Sequence, residues 1–229
     1  MPLTVVTVLF AAWEWNAPAE APGSSAVRPA EVAGQEPDGR ASPVQNGAVA
    51  PAVGPAVLST GEFVRVPGTG ELAGSGRRVT YRVEVENGVP VRPEDFVAEV
   101  DAALLDPRGW TAVDGVSVQR TDADEVTLTV MLTSPLTTDR LCRPLRTAGR
   151  YSCFSADRAV INANRWLHGA PSYGGDLRDY RTYVVNHEVG HGLGHGHRGC
   201  PAPGAPAPVM VQQTKGLSGC ARNPWPATG

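Results

Sequence analysis

The chain is 229 residues long, enough for one domain of ordinary size or one domain with a long tail. Its 26 glycines and 21 prolines crowd toward the two ends, which favours the tail. The formal net charge is −3 with both signs mixed, so there is neither a basic face nor an acidic block, and no nucleic-acid partner is expected.

The first residues, "MPLTVVTVLFAAW", form an apolar run as long as a signal-peptide core and shorter than the roughly 20 residues that span a bilayer as a helix. The first basic residue is Arg28. Residues 1–15 are therefore expected to be the remnant of an export signal or a membrane anchor. Residues 16–60 are Ala, Pro, Gly and Ser with scattered charges and no periodicity. Such a stretch buries too little apolar area to offset its chain entropy, and it reads as a disordered linker. The folded domain is expected over 61–229.

Val79, Tyr81, Val83 and Val85 alternate with polar residues, the period of a half-buried strand, and "ENGVP" closes it with turn chemistry. Pro93 suits the first position of a helix. Glu94 and Asp95 follow in its first turn, and Phe96, Val97, Val100 and Leu104 make one apolar face. Val116–Thr121 and Val126–Leu132 read as two strands joined by the polar "DADE", spaced like an antiparallel hairpin. "RAVINA", residues 158–163, is a further short strand. Asp176 or Asp179 can cap a helix running through Tyr180, Val184, His187 and His191 until Gly192 and Gly194 stop it. The remainder is Pro- and Gly-rich coil, so the fold class is α+β.

All four cysteines, Cys142, Cys153, Cys200 and Cys220, lie in the C-terminal part, and none stands in a CxxC spacing. Short loops make Cys142–Cys153 and Cys200–Cys220 the natural pairs among the three possible pairings. An oxidising compartment outside the cytoplasm follows.

Four of the five histidines fall within "HEVGHGLGHGH", residues 187–197. On a helix, positions i and i+4 share a face, so His187 and His191 can present two imidazoles to one ion. Gly194 can take the left-handed conformation that ends a helix and so return His197 toward the same ion as a third ligand. Three neutral imidazoles with one open position are the donor set of a catalytic Zn2+ site. Glu188, adjacent to the first ligand and not needed as one, is placed to act as general base toward a zinc-bound water. A His-rich tract that binds metals loosely would not require Glu188 and Gly194 to fall where they do. His195, on the turn, points away if His197 points in, and is the alternative third ligand. His168 is assigned no role.

The pattern His187-Glu188-x-x-His191-x-x-Gly194-x-x-His197, with Met210 following in "PVMVQQT", resembles the metzincin clan of zinc metallopeptidases. Together with "DPRGW" and "YRVEVENG" it more closely resembles an actinobacterial family of exported domains of unknown function with a zincin-like fold. That resemblance covers about Gly61 to Pro226. It implies a zincin/metzincin-like α+β domain: a small twisted sheet, two main helices of which one carries the HExxH residues, and an irregular C-terminal subdomain. It makes His187, His191 and His197 the zinc ligands, Glu188 the general base and Met210 the residue of a Met-turn beneath the metal. Two departures stand out. Gln212 occupies the place where some metzincins carry a tyrosine, and a hairpin around "DADE" would break the clan's mostly parallel sheet.

The expected function is hydrolysis of peptide bonds by a secreted or membrane-anchored, extracytoplasmic zinc metallopeptidase. Its partner would be a peptide or protein substrate lying along an edge strand, near Tyr151–Phe154 or within 158–163, and it is expected to act as a monomer with possible cell-envelope association. Two alternatives are a non-catalytic module stabilised by zinc that binds the envelope, and a zinc amidase acting on cell-wall peptides.

Overall fold

The computed structural model describes residues 59–229. The apolar segment 1–15 and all but the last two residues of the linker 16–60 lie outside the described residues. Ser59 and Thr60 already touch the body: Ser59 Oγ lies 2.8 Å from Thr137 Oγ1, and Thr60 Oγ1 donates to the Asn87 carbonyl at 2.9 Å.

Seven strands form one mixed sheet: β1 (Phe63–Arg65), β2 (Leu72–Gly74), β3 (Arg77–Glu86), β4 (Val116–Arg120), β5 (Leu128–Thr133), β6 (Cys153–Ser155) and β7 (Arg158–Asn162). Five helices accompany them: α1 (Pro93–Leu104), α2 (Trp110–Val113), α3 (Pro135–Leu141), α4 (Ala163–His168) and α5 (Leu177–Gly192). The strand order is β2-β4-β3-β5-β7-β6, with β1 pairing the end of β3. The central four, β4, β3, β5 and β7, are parallel, while β1, β2 and β6 are antiparallel to their neighbours.

The alternation read in β3 is the alternation observed. Val79, Tyr81, Val83 and Val85 are buried, each worth about 1.5–3 kcal/mol of burial if fully removed from water. The same core takes in Phe96, Val100 and Leu104 of α1, which packs against β3, and Val184, Val185 and Val189 of α5, which packs against β7 and α1. Phe96 meets Trp166 edge-on at 4.7 Å between ring centroids. Pro93 opens α1 as expected.

The hairpin expected between 116–121 and 126–132 is not formed. β4 pairs Arg77–Tyr81 of β3 and β5 pairs Tyr81–Val85, both parallel to β3 and on opposite sides of it. The two strands are staggered along β3, so the short "DADE" link only has to cross it. Arg82 of β3 holds that crossing by donating to the carbonyls of Ala123 and Asp124, at 3.1 and 2.9 Å. Polar turn residues satisfy a crossing as well as a reversal, which is why composition misled.

Both disulfides are the expected ones, Cys142–Cys153 and Cys200–Cys220. Two such bridges point to an extracytoplasmic setting. Among the described residues no helix is long and apolar enough to cross a membrane. Beyond α5 the chain has little regular structure, and its backbone groups are satisfied by side chains instead. Gln213, fully buried, accepts from Tyr173 Oη at 2.9 Å and from the Asn223 N–H at 3.1 Å, and donates to the Asn223 carbonyl at 2.7 Å.

Candidate metal centre

The helix that carries the site begins at Asp176, whose carboxylate accepts from the Asp179 N–H at 3.1 Å. Its glycines do more than end it. A Cβ on Gly190 would collide with the Trp110 ring and lie 2.6 Å from Met210 Sδ, and one on Gly192 would lie 2.8 Å from Phe154. The two glycines let Trp110, Met210 and strand β6 approach the helix closely, and Met210 is buried in the core against it. Gly194, at φ +101°, makes the left-handed turn that the motif requires, with the His195 N–H donating to the Gly190 carbonyl at 2.9 Å.

The turn brings His197 to the other two histidines. One ring nitrogen from each of His187, His191 and His197 lies within 4.8 Å of the others, and the three could hold a metal ion. His191 Nε2 and His197 Nε2 are 3.2 Å apart, close to the roughly 3.3 Å between two imidazole nitrogens on a tetrahedral ion at 2.0–2.1 Å. His187 Nδ1 faces the Val209 carbonyl at 2.8 Å and His191 Nδ1 faces the His195 carbonyl at 2.8 Å. A carbonyl only accepts, so each Nδ1 carries the proton and each Nε2 keeps its lone pair for a metal. The Arg198 N–H donates to the Met210 carbonyl at 3.0 Å and ties the turn to the methionine segment.

His195 takes no part in the triad. Its Nε2 lies 2.8 Å from Asp114 Oδ2 and its ring stacks on Trp110 at 4.4 Å. Trp110 in turn donates from Nε1 to the Asn186 carbonyl at 2.9 Å. His168 is exposed at the end of α4 and is not part of the site.

Burial, aided by the charges of His191, His197 and Lys215, pushes the His187 imidazole down to about 3. His197, at the exposed rim, is lowered in the same direction by partial desolvation and then by His191 and Lys215. Both shifts favour the neutral ring, the form that binds metal. Glu188 is buried beside them, and burial pushes its carboxyl up to about 8.

A cleft of about 360 Å3 opens over these groups. His187, Glu188 and His191 line it, together with Tyr151, Cys153 and Phe154 on one stretch of chain and Gln212, Thr214 and Lys215 on another. β6 pairs β7 on one side only and ends the sheet, so of the two candidate edge strands the one at the cleft is β6. β7 lies inside the sheet between β5 and β6.

Asp114, Trp110 and Lys215 were not legible as site residues. Asp114 meets His195 across 81 positions of sequence. Lys215 did carry a signal, being the only lysine in the chain.

A family model described as Protein of unknown function (DUF3152) matches residues 50–226. No curated protein and no solved structure matches the chain.

Proposed function

The chain belongs to this DUF3152 family of proteins of unknown function, and we propose, from the site alone, that it is an exported zinc metallopeptidase of metzincin type. The observation that carries the reading is the convergence of three imidazoles, two with Nδ1 committed to carbonyls, on a cleft that also holds a buried carboxylate, Glu188. A purely structural site has no use for that carboxylate. Met210 beneath the helix and Gly194 at its end support the same reading.

His187, His191 and His197 would hold the ion, three nitrogen donors of the kind zinc prefers. Zinc supplies a Lewis acid that polarises a carbonyl and makes water acidic enough to lose a proton near neutrality. The substrate's main chain would lie along the free edge of β6, in the manner of an added strand. Glu188 takes the proton of the attacking water as the new C–O bond forms, and delivers it to the amide nitrogen as the C–N bond breaks. The positive charge of an ion held by the three histidines would offset the burial that raises the Glu188 carboxyl and favour the ionised form that accepts a proton.

The test is digestion of a mixed peptide library by the zinc-loaded full chain, read by mass spectrometry. Glu188→Gln should keep its zinc and lose turnover by a factor of about 100 or more. Hydrolysis retained in that variant would sink the mechanism, and a wild type that cleaves nothing would sink the peptidase reading.

A further inference from the structure

The chain has 20 basic residues, and Lys215 is its only lysine. A turn closed by its N–H donating to the Gln212 carbonyl at 2.9 Å sets Lys215 at the cleft, with Nζ 5.2 Å from the centre of the Tyr151 ring. Tyr151 belongs to the loop closed by Cys142–Cys153. That loop contains Arg143, Arg146 and Arg150 and no acidic residue. Arg146 lines the cleft together with Lys215, and the only carboxylate among the lining residues is Glu188, which is buried.

The nearest acid in sequence is already engaged. Asp139 accepts from Thr147 Oγ1 and, at 2.7 Å, from the Gly149 N–H, so it shapes the loop and does not neutralise it. Among the described residues neither Lys215 nor Arg146 stands in an ion pair, whereas Arg65, Arg82, Arg120 and Arg181 elsewhere each meet a carboxylate. The cation–π contact with Tyr151 restrains the Lys215 ammonium without cancelling its charge. Two cations converging on one concave surface with a single buried acid raise the local concentration of anions and favour a ligand that brings its own negative charge.

We propose that Lys215 and Arg146 select peptides bearing a carboxylate near the bond to be cleaved. The inference rests on the peptidase reading for the identity of its ligand. Selection itself is a binding property and is measured apart from cleavage. The carboxylate can come from an acidic side chain or from a free C-terminus, and the chemistry recognised is the same.

Binding of the full-length Glu188→Gln chain, zinc-loaded, is measured to two sets of synthetic peptides. In the first set the members of each pair differ only in Glu or Gln at one internal position. In the second they differ only in a free or an amidated C-terminus. The charged member of at least one set should bind about fivefold tighter, the size of one partly exposed ion pair. That preference should shrink with added salt, disappear in Lys215→Met and Arg146→Met, and return in Lys215→Arg. The set that shows it identifies the source of the carboxylate.

Equal binding within every pair, including no binding of either member, would overturn the inference. So would a preference that survives both methionine variants. Wild-type digestion separates this from the peptidase reading: charge-selective binding without cleavage removes the reading and leaves the selectivity, and cleavage indifferent to charge does the reverse.

Discussion

The carboxylate of Asp114 and the imidazole of His195 meet at 2.8 Å, and the carbonyl of that same histidine receives Nδ1 of His191 at 2.8 Å. The pair anchors the turn that follows α5, with the His195 ring stacked on the buried Trp110. His195 therefore acts on the metal centre through a ligand and is a positioning residue. Asp114→Asn should leave the fold intact and weaken metal binding about tenfold, the lower end of what outer partners of ligating histidines contribute. Competition with a chromophoric chelator measures this, and an unchanged affinity would show that the turn holds its shape without the pair.

Gly190 lies between the Trp110 ring and Met210 Sδ, where a methyl group has no room. Gly190→Ala should cost about 1–3 kcal/mol through overpacking, despite alanine's better helix propensity. Urea unfolding followed by tryptophan fluorescence checks the sign. Gly196→Ala, at a position where an added Cβ meets nothing within 4 Å, is the control and should change little.

The motif histidines were readable because their geometry is local. An i, i+4 pair and a glycine at the helix end fix where His187, His191 and His197 go, whatever the rest of the chain does. The partners that set their tautomers are main-chain carbonyls of Val209 and His195, which have no side-chain signature. Asp114 was invisible for a different reason: an exposed-looking acid gains meaning only when the fold carries it 81 positions to His195. In the sheet, the period of β3 identified its buried face, but period cannot tell which neighbours a strand takes. The "DADE" link was taken for a reversal when Arg82 in fact holds it as a crossing over β3.

Glu86 is the buried hub that fastens the start of the domain to the sheet. Its oxygens accept from the Gly61 N–H at 2.8 Å, the Ser134 N–H at 2.7 Å and Thr137 Oγ1 at 2.7 Å. Burial raises its pKa, but the hydrogen bonds from Thr137, Gly61 and Ser134 outweigh it, and the net shift is below the ordinary 4.5. The unfolded chain then binds this proton more readily than the folded one. Its contribution is complete above the ordinary glutamate value and is lost as pH falls through the lowered folded value. Glu86→Gln should cost roughly 2 kcal/mol near neutrality and flatten the acid side of the stability profile. Thermal melts of both chains from acid to neutral pH measure it, and parallel profiles would contradict the assignment.

The central claim is that His187, His191 and His197 hold one zinc ion. Metal content per chain, measured by mass spectrometry on the purified full-length protein and on His197→Ala, tests it most directly. Zinc near one per wild-type chain, falling sharply in a variant that still folds, is the expected result. A folded wild type that binds no zinc when the metal is supplied would contradict the account, and the peptidase reading would fall with it.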